Sequence, residues 1–311
     1  RVMTMSEHEV ADTLAHAHRS FAGRHRDLDA VLDRNHAIVT ARLDHLEPAA
    51  APFSLDRRRL IGAYFTHEYS IEAAALGNPS IVAAPDQSGL DAGEVRFVMS
   101  LRAIGEGHIS SIEFRSGVIG ADASVVLDPA SRYAVTGERT PHAYDKSFFT
   151  TKLADLAMLH DVEERVLARL EDPFTIAERE AAVDGLEHDG LDRSLSGETT
   201  RVLHWLASSN YRTSFPSSID ISERVLFPGG PTESRGMEDA RFVRFVGDDG
   251  AVTYFATYTA FDGHQILPQL LETDDFTKFR VATLTGSAAH IKGLAIFPRR
   301  IVGEFRPWGR H

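Results

Sequence analysis

The sequence predicts a mainly β protein with a helical N-terminal segment and a helical insertion. Three observations lead there. Short runs rich in β-branched and aromatic residues, separated by Gly, Asp and Pro, fill two regions at about 78–118 and 240–284. Apolar residues recur at helical spacing over 6–46 and again over about 146–208. The two β-rich regions also share an order: a polar opening, an apolar strand, a turn and a second strand. That order is the mark of a repeated antiparallel unit.

Composition narrows the function classes. The chain has 311 residues, enough for a large core in one or two domains. Its net charge of −12 speaks against nucleic acid as a partner, since no basic field is available to displace counterions from phosphates. An anionic ligand needs a local basic pocket instead. With no cysteine, disulfides, thiolate metal sites and cysteine nucleophiles are excluded. No apolar run approaches the roughly 20 residues of a membrane span, so no membrane partner is expected. The start, RVMTMSEHEV, lacks an apolar signal core; a cytoplasmic location and initiation at Met3 or Met5 are the expectations.

The N-terminal helices are read from Val10, Leu14, Ala17 and Phe21, then Leu28, Val31, Leu32 and Ile38, with Gly23 marking a break. Leu46-Glu-Pro-Ala-Ala-Ala-Pro-Phe53 reads as a linker and sets the domain division at 1–53 and 54–311. His16 and His18, two apart, point to different faces of their helix and read as solvated side chains rather than a metal site. In the first β region, NPSIVAAP, VRFVMSLRA and HISSIEFRSG are the strands. KSFFTTKLADLAMLHDVEERVLARL then holds a sustained helical period, and AEREAAVDGL and TRVLHWLAS add two shorter helices. Strands return as ARFVRFV, AVTYFATYTAF, HQILPQLLET and FRVATL, the first two joined across Gly247-Asp-Asp-Gly250. A third copy of the unit is expected to start at Ile291-Lys-Gly-Leu-Ala-Ile-Phe-Pro298.

Repeated antiparallel units of this size suggest propeller blades, whose first strands line a central channel. The polar openings Asn78-Pro79 and Glu238-Asp239 would then share one pocket. This gives a reason for the stretch ESRGMEDARFVRF (233–245), in which six of thirteen residues are charged although its second half alternates like a strand. The stretch Arg102-Ala-Ile-Gly-Glu-Gly-His108 is followed by a strand rather than a helix, which removes the dinucleotide and P-loop readings.

NPSIV, LRAIGEGHISSIEFRSG, ESRGMEDARFVRF, TYFATYTAFDG and IKGLAIFPRRI, spread over about residues 64–301, together resemble glycoside hydrolase family 130. This is the family of inverting β-mannoside phosphorylases and related β-mannosidases. The likeness is to its larger members, which carry extra N-terminal helices and include β-1,2-oligomannoside phosphorylases. The resemblance implies a five-bladed β-propeller, of which this chain holds about two and a half blades, so a C-terminally truncated member is expected. A partial propeller is expected to self-associate as a homo-oligomer and to need the missing blades for turnover.

The same resemblance implies the chemistry. Asp239 takes the position of the general acid, its proton passing through a sugar hydroxyl; a structural ion pair with Arg241 is the plain alternative. Phosphorolysis needs a cationic pocket where hydrolysis needs a second carboxylate. Lys292, Arg235, Arg241 and Arg102 are the phosphate-binding candidates, with a solvated surface lysine the alternative for Lys292. Asn78, Ser80, Glu238, Tyr258 and Asp262 are the substrate-binding candidates, Tyr258 also by stacking on a sugar face. Glu238, by strand alternation, is expected on the face opposite Asp239. Asp262-Gly263 has a plain turn as its alternative. No metal or cofactor is expected; inorganic phosphate is the co-substrate and a β-mannoside oligosaccharide the substrate. The competing readings are a hydrolase using Glu106, Glu113, Glu223 or Glu233 as base, and a non-catalytic carbohydrate-binding fragment.

Overall fold

The computed structural model describes residues 2–43, 53–140, 144–190, 193–284, 293–299 and 307–308. The chain divides into two compact units, 1–70 with 131–134, and 71–130 with 135–311.

The first unit is helical: α1 (Glu7–Phe21), α2 (Leu28–Leu43) and α3 (Leu55–Tyr64). Ser6 and Glu9 start α1 as a reciprocal cap, each satisfying a backbone N–H of the other. A 3-10 turn at Ala22–Arg24 ends it, at the break that Gly23 marked. α3, capped by Ser54, is a helix that the spacing of apolar residues did not reveal. Its face is set by Arg57, which bonds Glu7 and the carbonyls of Val2 and Met5. The small core is Leu14, Leu28 and Leu32. The linker at 46–53 lies, except for Phe53, outside the described residues.

The second unit is built on β1 (Ala75–Ala83), β2 (Val95–Ile104), β3 (Ser110–Ile119), β4 (Val125–Leu127), β5 (Val135–Thr136) and β6 (Glu138–Thr140). A helical block follows, with α4 (Lys146–Asp155), α5 (Asp161–Ala168), α6 (Ile176–His188) and α7 (Arg193–Ser208). Then come β7 (Tyr211–Ser214), β8 (Arg224–Leu226), β9 (Gly236–Val246), β10 (Val252–Phe261), β11 (Ile266–Thr273) and β12 (Lys278–Thr283). Two short strands, β13 (Ala295–Ile296) and β14 (Pro307–Trp308), pair with each other.

The long helix expected over 146–170 is two helices. Ala157 adopts a left-handed φ of 54°, and Met158 N–H donates to the carbonyl of Leu153, closing α4 in a Schellman motif. Glu163 then caps the N–H of His160 and starts α5. Periodicity alone cannot see this break, because the apolar residues keep their spacing across it.

Twelve strands form one mixed sheet, ordered β1-β2-β3-β9-β10-β11-β12-β7-β6, with β4 and β8 on β3 and β5 on β8. Two antiparallel runs, β1–β3 and β9–β12, meet at a single parallel pair, Ser110 with Gly236. Gly236 has φ 137°, and a Cβ there would sit 2.8 Å from the Ser110 nitrogen, so the junction requires glycine. The sheet is open: its described strands do not close into a ring of blades. Its core packs Phe114 against Phe242, Phe276 and Phe279. The helical block has its own core around Phe149, Leu153 and Phe174, and Trp205 packs against both. No helix among the described residues is long and apolar enough to cross a membrane.

Candidate active site

Two bulges build the site. Between Gly77 and Ser80, β1 has one residue more than β2 opposite it, and between Glu238 and Arg241, β9 has one more than β10. Asn78 and Asp239 occupy these bulges in left-handed conformations, with φ of 52° and 56°. Asn and Asp are the non-glycine residues that tolerate this region best. The unpaired backbone groups are taken up by side chains from across the cleft. Ser80 Oγ accepts from the N–H of Phe242 at 2.9 Å, and Ser100 Oγ donates to the carbonyl of Ala240 at 3.3 Å. Tyr254 Oη, on β10, donates to the carbonyl of Ala83 at 2.8 Å, tying β10 to β1 further along.

The bulged openings thus meet. Asn78 Nδ2 donates to Asp239 Oδ1, joining residues 161 apart in sequence. Arg102 reaches the same oxygen through Nη1 at 3.4 Å and donates through Nη2 to Glu238 Oε1 at 2.7 Å. Ser110 Oγ holds its Nε at 2.9 Å. Glu238 therefore lies on the same side as Asp239, contrary to the alternation expected of a regular strand. The inserted left-handed residue cancels one step of the alternation. The ionic partner of Asp239 is Arg102, not Arg241.

These residues open on a cleft of about 320 Å³, lined among others by Asn78, Ser80, Asp239, Arg241 and Ala295. Asp239 is the one carboxylate among its described lining residues, and Arg241 is exposed at its wall. Lys292 lies outside the described residues; Ala295, three residues on, reaches the cleft.

The remaining candidates fall elsewhere. Arg235 is exposed, and its backbone N–H bonds the carbonyl of Phe261. Asp262 turns its carboxylate onto the backbone N–H groups of His264 and Gln265, at 2.7 and 2.6 Å, which is the turn reading. Tyr258 is 2% exposed and gives its hydroxyl to Glu233, so its ring is not free to stack on a sugar.

Glu233 itself is a hub that sequence reasoning weighed only as a hydrolytic base. It is fully buried and accepts from the hydroxyls of Tyr211 and Tyr258, from Arg139 and from the N–H of Gly229. Burial, and then the Glu233 charge, push both tyrosine hydroxyls well above their ordinary pKa. Such a carboxylate is a structural anchor. Its signal in the sequence was weak, since its partners are spread from residue 139 to residue 258.

Glu113 is buried on the sheet face opposite Arg102. Burial, reinforced by Glu72, raises its carboxyl to about 7, although Arg115 bonds both carboxylates. Glu106 is exposed in a 3-10 turn, and Glu223 is buried.

Comparison with known proteins yields little. No family model and no curated protein matches the chain. A solved structure to which it is similar is a β-1,2-mannobiose phosphorylase from Listeria innocua in complex with β-1,2-mannobiose. The identity is 15% and the TM-score 0.27, over 77% of this chain and 54% of that one. The chain therefore spans about half the length of the protein it matches. At this score no residue role or substrate transfers from it.

Proposed function

We propose that the cleft between β1 and β9 is the acid half of an inverting glycoside phosphorylase site acting on β-linked mannosides, with β-1,2-linked mannose as the substrate. One observation carries the reading: Asp239 lines the cleft without a second carboxylate among its described lining residues, and cationic side chains stand beside it. Inverting hydrolysis needs two carboxyl groups about 6.5–9.5 Å apart across the sugar. Phosphorolysis needs one acid and a place for an anion, because phosphate arrives already charged. Asp239 protonates the leaving group, by way of a sugar hydroxyl. Asn78 and Arg102 fix its Oδ1, which leaves Oδ2 to carry the proton. Arg241, with Lys292, receives phosphate on the opposite face of the sugar. Glu238 keeps Arg102 in place. The motif resemblance supplies the sugar and the linkage. The test is cleavage of β-1,2-mannobiose with and without inorganic phosphate. Release of mannose 1-phosphate that depends on phosphate supports the reading; equal release of free mannose in both would mean hydrolysis.

A further inference from the structure

Away from the cleft, Arg212 of β7 and Arg280 of β12 are direct cross-strand partners, so both side chains leave the same face of the sheet. Like charges directly opposed across a sheet are destabilising. Arg280 is compensated by Glu272 on the next strand, Nη1 to Oε2 at 3.2 Å. Arg212 is exposed and has no ion-pair partner among the described residues; its neighbour on β6 is the uncharged Thr140.

Both guanidinium groups line two hollows. One, of about 400 Å³, lies between the sheet and the start of α4, beside Asp145, Ser147 and Phe148. The other, of about 590 Å³, continues past Ser214 and Lys278. In the first hollow Asp145 is the one acid among the lining residues, and its Oδ1 is already engaged by Phe148 N–H and Ser147 Oγ. The second has three acids among its lining residues: Glu272 takes Arg280, Asp275 accepts from the N–H groups of Thr277 and Lys278, and Asp274 shares the lining with Lys278, Arg212 and Arg280. Asp145, Glu272 and Asp275 are thus engaged by their own turns or by Arg280, and Arg212 is exposed and lines both hollows.

We propose that Arg212 and Arg280 form an accessory site for a phosphate dianion, free or as the monoester of a small polar molecule. Two guanidinium forks set side by side match the oxygens of such a group. The first hollow has room for the organic part of a monoester, and the half-buried ring of Phe148 offers it an apolar wall. The site shares no residue with the Asn78–Asp239 cleft, and its occupation requires no turnover there.

The test uses the full chain, titrated calorimetrically with inorganic phosphate and separately with a hexose 6-phosphate, alongside thermal unfolding. The Arg212→Gln, Arg280→Gln double variant should bind the tighter of the two at least about tenfold more weakly. Without ligand, Arg212→Gln should melt no lower than the parent chain, since it removes a like-charge opposition, and combined with Arg241→Gln it should lose the ligand-dependent rise in Tm. Arg241→Gln alone, in the other cleft, should leave this signal in place, which separates the two sites. A preference for the hexose phosphate that Phe148→Ala abolishes would assign a monoester; equal binding of both would assign free phosphate. Unchanged titrations in the double variant, or no binding of either ligand at about 10 mM, would overturn the proposal.

Discussion

Asp239 combines three properties at one position: a bulged left-handed backbone, a carboxylate lining a cleft and one oxygen fixed by Asn78 and Arg102. If it is the acid, Asp239→Asn keeps the bulge, because Asn tolerates the same φ, and removes the proton. Turnover should fall about 10²–10⁴-fold with little change in Tm. An unaltered rate would exclude Asp239 from the chemistry. A second residue carries a pH signature. The Glu113 carboxyl rises from an ordinary 4.5 to about 7 through burial and the nearby Glu72. The folded state therefore holds a proton that the unfolded chain releases. That stabilisation is complete below pH 4.5 and is lost as pH rises through about 7. Glu113→Gln cannot lose the proton, so the fall in its denaturant midpoint between about pH 5 and 8 should be shallower than the parent's. The free energy at stake is at most about 3 kcal/mol. Parallel pH profiles would refute this role.

At the scale of elements, the bulges decide what could be read in advance. The strands around 78–83, 95–103, 110–117 and 240–283 were legible because alternation and turn residues are local signals. The meeting of Asn78 with Asp239 was expected only from the repeat of polar openings. The side taken by Glu238 was misread, because nothing in ESRGMEDARFVRF marks which residue is the extra one. The Glu233 anchor was illegible as an anchor for a different reason: its donors come from β6, β7, β10 and a loop. The parallel junction of β3 and β9 offers a direct check. Gly236→Ala places a Cβ 2.8 Å from Ser110 N at a φ of 137°. It should cost about 1–3 kcal/mol in chemical denaturation and lower turnover by shifting the start of the strand that bears Asp239. A neutral substitution would mean that the junction is more pliant than its geometry implies.

Across the whole molecule, the two β runs share one open sheet, and this leaves apolar surface on β4. Val125, Val126 and Leu127 are 60%, 64% and 54% exposed on a short strand that pairs with β3. Exposed apolar strand edges are templates for pairing with another chain. The protein should therefore self-associate at micromolar concentration in light scattering, and Val126→Lys should shift it towards monomer. A parent chain that is monomeric throughout would remove β4 as the cause. The expected third repeat can be followed only in part, since Ile301 and Val302 lie outside the described residues. What joins these scales is the claim that one acid and a neighbouring cationic wall perform an inverting transfer to phosphate. Phosphorus NMR of the chain incubated with β-1,2-mannobiose and inorganic phosphate tests it most directly. The account predicts mannose 1-phosphate of the α configuration, formed by the parent chain and not by Asp239→Asn. A β product, or mannose released without any phosphate ester, would contradict it.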